Sequence, residues 1–273
     1  MSTHQVKKQH LRSKMVIKCE KSRETLEQLL SYLREEQKCA YVRIGDGDLY
    51  LLHNHDDSYN RASPQFANEM KEVFEIADPG FMKCLPLYYQ ENAEPHMFPG
   101  NHLSNEECYN RYVSMAQAYL SNFPSIWSHV ALSYQATYHP QFAISFLKEI
   151  KSACMKYPCF IIGNQQVHPP LIELLFGTKY QRIGTAPKDS YQQIETVWTQ
   201  IEQNIDPSQY TIFVVFMGCA GRPLQKRIWK KYDRVFIFDV GSLLDILNGQ
   251  NTRAWIDLSG FKASEFLELY NQA

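Results

Sequence analysis

The stretch YTIFVVFMG (210 to 218) carries nine residues without a charge. It is far too short to cross a bilayer. It is also too continuously apolar for a strand with one wet face, which would alternate. Such a run fits a strand covered on both faces, as in a parallel sheet wrapped by helices. CFIIGN (159 to 164) and RVFIFDVG (234 to 241) have the same character, and YQRIGT (180 to 185) reads as a further short strand. Between them lie helical patterns: PPLIELLFG, with proline at its entry and glycine at its exit, then KDSYQQIETVWTQIEQNI and RPLQKRIWKKY. Strand and helix alternate three times, which predicts an α/β, Rossmann-like chain with a mostly parallel sheet flanked by helices.

The N-terminal half is less regular. Ser22 is the expected N-cap of a helix whose Leu26, Leu29, Leu30 and Leu33 form one apolar stripe. CAYVRI (39 to 44) and MKCLPLYY (82 to 89) read as strands. PQFANEMKEVFEIA (64 to 77) and FAISFLKEIKSACMKY (142 to 157) read as helices, as does the segment after Ser104, which opens on a capping box with Glu107. Residues 90 to 104 read as a loop. Residues 1 to 15 are expected to be a flexible tail, and 16 to 273 a single domain with a helical N-terminal portion.

A formal net charge of -1 leaves no global basic field, so bulk binding to a nucleic-acid backbone is not expected. Seven cysteines, an odd number with no C-x-x-C spacing, fit reduced thiols better than a disulfide framework or a structural zinc site. With no apolar leader and no transmembrane run, a cytoplasmic protein is expected, with at most peripheral membrane contact.

In doubly wound sheets ligands bind beyond the carboxyl ends of the strands. Five segments follow strands here: Gly45-Asp46-Gly47-Asp48, Gly163-Asn164, Gly184-Thr185, Gly218 to Arg222, and Asp239 to Ser242. GDGD sits between two apolar runs, and spacing alone supports two readings of it. Asp-Gly is a strong hairpin signal. Two carboxylates on a short glycine loop equally suit a hard divalent cation shared with substrate phosphates. An EF-hand is excluded, because Tyr50 and Leu51 stand where that loop needs an oxygen ligand and a glycine.

The neighbouring HNHDD (53 to 57) lacks a helical i, i+4 histidine pair and reads as a solvated polar segment. GCAGRPLQKR (218 to 227) follows a strand and opens a helix, so it could receive an anion, with Arg222, Lys226 and Arg227 adding contacts to phosphate. Its spacing fits neither a dinucleotide fingerprint nor a Walker loop. Asp239 at a strand end could bind a hydroxyl, act as a base or cap a helix.

The residues VRIGDGDLYLL resemble the RFGDGE signature of the GT-D type glycosyltransferases. FLKEIKSACMKYPCFIIGN and the segment from Tyr210 to Leu247 are similar to later parts of that family, in the same order. The resemblance implies a Rossmann-like transferase that moves a sugar from a nucleotide donor, UDP by expectation, to a glycan or other hydroxyl acceptor. Mn²⁺ or Mg²⁺ would be the cofactor.

The family's D-x-E element maps onto Asp46-Gly47-Asp48, implying Asp46 and Asp48 as metal ligands, with the second acid one methylene shorter. Arg43, Gly45, Gly47, Gly163, Asn164, Gly218 and Arg222 are the expected substrate-binding residues. Asp239 and Asp245 are the expected bases. The histidine that follows DIG in many family members is Ser242 here, so no role passes to it.

Two rivals stand beside this reading. D-x-D after a strand also resembles haloacid-dehalogenase-type phosphatases, although Gly45 intervenes before Asp46 and Leu49-Tyr50 follow Asp48. A non-catalytic nucleotide- or glycan-binding relative is the other.

Overall fold

The computed structural model describes residues 20–85, 126–250 and 259–273. Among these, seven strands form one sheet: β1 (Cys39–Arg43), β2 (Phe81–Leu85), β3 (Trp127–Ser128), β4 (Cys159–Asn164), β5 (Gln181–Thr185), β6 (Thr211–Phe216) and β7 (Val235–Asp239). Their order is β3-β2-β1-β7-β6-β4-β5, and every pairing is parallel. The expected α/β, Rossmann-like architecture is therefore present.

The helices are α1 (Ser22–Arg34), α2 (Asp46–Leu52), α3 (Pro64–Glu75), α4 (Ala131–Tyr138), α5 (Pro140–Lys156), α6 (Pro169–Phe176), α7 (Ile194–Asn204), α8 (Gly221–Lys231), α9 (Ser242–Leu247) and α10 (Ala263–Gln272). Side chains alternate across each strand, and this alternation divides the core in two. Tyr41, Ile161, Ile212, Val214, Phe236 and Phe238 pack with α1, α4, α5, α6, α9 and α10. Val42, Ile162, Phe213, Val215 and Ile237 pack with α2, α3, α7 and α8 on the other face. All six residues of β6 are buried, as an apolar run without alternation requires. Each such side chain stabilises the fold by about 1.5–3 kcal/mol.

This layering positions the site. The adjacent strands β1 and β7 send their following helices, α2 and α9, to opposite faces. The ends of β1 and β7 thus form a topological switch point, the place where ligands bind in open α/β sheets.

Several expectations are corrected. GDGD is not a hairpin: β1 is parallel to both neighbours, and α2 starts at Asp46. Leu49, Leu51 and Leu52 are buried against the core, and that packing holds a seven-residue helix too short to stand on propensity. Lys21, not Ser22, is the N-cap of α1. Ser22 instead turns inward, and its hydroxyl bonds that of Ser128 at 2.9 Å. The second predicted strand is present as β2 over Phe81–Leu85, while its predicted residues 86 to 89, the loop at 90 to 104, the helix after Ser104 and the expected tail at 1 to 15 lie outside the described residues. No described helix is long and apolar enough to cross a membrane.

Candidate active site

The site grows from four charged side chains at the switch point. Asp48 is the third residue of α2, and its Oδ2 accepts the backbone N–H of Gly45 at 2.7 Å. This is one half of a capping box, the other half being absent because Gly45 has no side chain. The helix N-terminus favours a carboxylate there. Asp48 is nevertheless only 1% exposed, and what it meets inside is Arg222.

Arg222 comes from the first turn of α8 and is itself buried. Its Nε lies 3.1 Å from Asp48 Oδ1, and its Nη2 donates to Asp48 Oδ2 at 3.4 Å. The Nε–Oδ1 contact is a close charge pair without hydrogen-bond alignment, so neither atom has a hydrogen-bond partner among the described residues. Nη1 donates to Asp239 Oδ2 at 2.5 Å and to the Gly218 carbonyl at 2.8 Å.

Asp239, the last residue of β7, passes the chain of charge onward. Its Oδ1 is 3.7 Å from Arg43 Nη1. Arg43 Nε donates to the His129 carbonyl at 2.6 Å, just beyond β3. Two arginines, one from strand β1 and one from helix α8, therefore meet at one aspartate.

The electrostatics follow from burial and pairing. Burial raises the Asp48 carboxyl above its ordinary range, against the opposing pull of Arg222. Burial disfavours the Arg222 charge, but Asp48 and Asp239 outweigh it and hold the guanidinium above its usual value. Cys219, beside them, is pushed well up by burial and then by Asp48, so it is not an activated thiol.

Glycine is required at two places. Gly241 has φ +63°, and a Cβ there would sit 1.2 Å from Arg43 Nη1. A Cβ on Gly47 would fall 2.8 Å from Asp57 Oδ2 and 3.2 Å from Cys219 Sγ. The HNHDD segment explains the second case. His53 and His55 are exposed, whereas Asp57 Oδ1 accepts the N–H groups of Tyr59 and Asn60, and Asp56 Oδ1 that of Ala62. Its aspartates shape a loop against GDGD.

The structure distributes the remaining expected residues along one edge. Asp46 is exposed at the start of α2, and its Oδ1 accepts the Gly47 N–H at 2.9 Å. Gly163 (φ +155°) lies against Phe216 at the end of β4, and Asn164 Oδ1 accepts the Gln166 N–H. Gly218 (φ +56°) has open space around it. Asp245 is half-buried in the first turn of α9.

Lys226 and Arg227 are not available to phosphate. Lys226 pairs with Glu69 and Glu72, and Arg227 with Glu69 and Glu195. His129 escaped sequence reasoning: its Nε2 would be 3.5 Å from a Cβ on Gly45. The two-residue strand before it carries no pattern that could have flagged it.

A divalent cation fits this set only in part. Among the described residues no group of three or more His, Cys, Asp or Glu gathers as a metal site. Asp46 is open to a cation that completes its shell with ligand phosphates and water, the usual habit of Mg²⁺. A cation shared with Asp48 would have to displace or adjoin the buried Arg222 charge.

No curated protein sequence matches the chain. Among solved structures, one described as a new glycosyltransferase (DUF1792) from Streptococcus sanguinis superposes with a TM-score of 0.63 at 18% identity, covering 82% of this chain and 81% of that one. Another, described as showing that the highly conserved domain of unknown function 1792 has a distinct glycosyltransferase fold, has a TM-score of 0.57 at 16% identity, covering 81% and 78%. The family model for the glycosyltransferase GT-D fold matches residues 41–245, from β1 into α9. With three quarters of its length inside that match, the chain belongs to the GT-D-fold glycosyltransferases.

Proposed function

We propose that this glycosyltransferase takes its sugar from a nucleotide-activated donor, UDP-linked by preference, bound across the carboxyl ends of β1, β7, β6 and β4. The acceptor is a glycan or another hydroxyl compound. The observation that carries the reading is the exposed Asp46 carboxylate, which opens α2 three residues after Arg43 closes β1 at the switch point, in a chain of this family.

Transfer builds negative charge on the departing diphosphate, so the site must stabilise that charge as the sugar bond breaks. Arg43 has Nε on the His129 carbonyl and Nη1 near Asp239, and these contacts fix the direction of its guanidinium. Gly218 leaves exposed backbone along the same edge, whereas Gly163 is closed off by Phe216. Mn²⁺ or Mg²⁺ bound with the donor would be held by Asp46 and would supply further neutralisation of the diphosphate.

Asp239 is engaged by both arginines, which makes it their holder rather than a base open to an acceptor. Asp245 is the remaining expected base. The phosphatase reading needs both aspartates of GDGD at the substrate, and the seal of Arg222 over Asp48 opposes it.

The test is incubation of the protein with a panel of nucleotide sugars and Mn²⁺, following release of the nucleoside diphosphate. Hydrolysis or transfer of one donor class, lost in Asp46→Asn, supports the proposal. Binding of UDP without turnover of any donor would favour the non-catalytic relative.

A further inference from the structure

The geometry points to a division of labour within GDGD: Asp46 alone meets the donor and its cation, while Asp48 anchors the buried Arg222 and lies outside any metal shell. For the cation this inference rests on the nucleotide-sugar reading. For Asp48 it rests on contacts within the chain.

The two aspartates are one glycine apart, yet their surroundings are opposite. Asp46 is exposed at the first position of α2. Asp48 has one oxygen on the Gly45 N–H, both oxygens facing one guanidinium, and almost no solvent contact.

Asp48 Oδ1, which has no hydrogen-bond partner, is the atom a metal would have to reach. Arg222 Nε stands 3.1 Å from it. A dication at a bonding distance of about 2.1 Å would face a full positive charge at close range in a low-dielectric setting, where repulsion is strong. Arg222 cannot swing aside freely, because its Nη1 is tied to Asp239 and the Gly218 carbonyl.

A site with one open carboxylate holds a cation weakly by itself. The cation should therefore bind together with the phosphates of the nucleotide, each tightening the other by the same factor.

The experiment titrates Mn²⁺ into the full chain, with and without UDP, reading free Mn²⁺ by electron paramagnetic resonance. Melting temperatures are recorded for Asp46→Asn, Asp48→Asn, Arg222→Met and the Asp48→Asn/Arg222→Met double variant. UDP is expected to tighten Mn²⁺ binding about ten-fold or more, and Asp46→Asn to abolish that gain with little change in melting temperature. Asp48→Asn is expected to keep Mn²⁺ affinity within about three-fold, the effect of one screened charge, while melting several degrees lower.

The Asp48 and Arg222 changes should be strongly non-additive. A ten-fold loss of Mn²⁺ affinity in Asp48→Asn at an unchanged melting temperature would overturn the assignment. If the wild type binds no Mn²⁺ even with UDP, the donor reading fails. The melting series still decides Asp48, since additive losses would refute its anchoring of Arg222.

Discussion

Arg222 Nε rests 3.1 Å from Asp48 Oδ1, in a contact that joins the first turn of α8 to the first turn of α2 across 174 residues of sequence. Arg222 is also the bridge to Asp239, so one guanidinium is shared by two buried carboxylates, with Arg43 supplying the second positive charge. Removing it leaves Asp48 uncompensated in the interior and Asp239 with Arg43 alone, the circumstance in which a buried pair costs most. Arg222→Met is expected to lose about 3–5 kcal/mol of stability, measured by urea unfolding near neutral pH. A loss below 1 kcal/mol would mean that the carboxylates find other partners.

Gly241 and Arg43 are matched in the same way. The positive φ at Gly241 disfavours any side chain, and a methyl group would occupy the place of Arg43 Nη1. Gly241→Ala should cost at least about 2 kcal/mol and displace the arginine from its direction over the site. Combining it with Arg43→Ala should cost less stability than the sum of the two single changes. Thermal unfolding of the four proteins checks this.

A second charged network ties α3 to α8, away from the site. Glu69 accepts from Arg227, Lys226 and Tyr191. Burial pushes its carboxyl up, but these hydrogen bonds prevail and hold it down at about 2, against an ordinary 4.5. A carboxyl depressed on folding contributes stability that is full above its unfolded value and is lost as pH falls toward the folded one. Stability should therefore fall between pH 4.5 and pH 2 by an amount on the order of 2 kcal/mol, allowing for partial exposure of the network. In Glu69→Gln this part of the pH dependence should disappear, as measured by urea unfolding at several pH values.

The strands β4, β6 and β7 were readable in sequence because burial on both faces demands unbroken apolar runs, and their short length and flanking glycines set them apart from buried helices. The helices α3, α5, α6 and α8 declared themselves through periodicity and their proline or glycine ends. GDGD was ambiguous for a physical reason: Asp-Gly favours a tight turn and a helix start alike, and only the burial of Leu49, Leu51 and Leu52 decides. The two-residue β3 and the short helix α4 carry no local signature. Pairing with β2 and packing on α1 and α5 create them.

The site was legible as a set of strand ends but not as a set of roles. Sequence placed Asp46, Asp48, Arg222 and Asp239 at or after strand ends, and the parallel sheet brings those ends to one edge. That Arg222 closes over Asp48 is a tertiary fact, fixed by two helices meeting on one face. Cation sites on α8 were likewise expected for phosphate, whereas Lys226 and Arg227 are bound to acids of α3 and α7.

The central claim is that a nucleotide donor binds where Asp46 and Arg43 face the carboxyl edge of β1 and β7. Isothermal titration of UDP in the presence of Mn²⁺, on the wild type and on Asp46→Asn, tests it most directly. The account predicts measurable UDP binding that Asp46→Asn weakens by about ten-fold or more. Equal UDP affinity in the two proteins, or no binding of UDP or any other nucleoside diphosphate to the wild type, would contradict it.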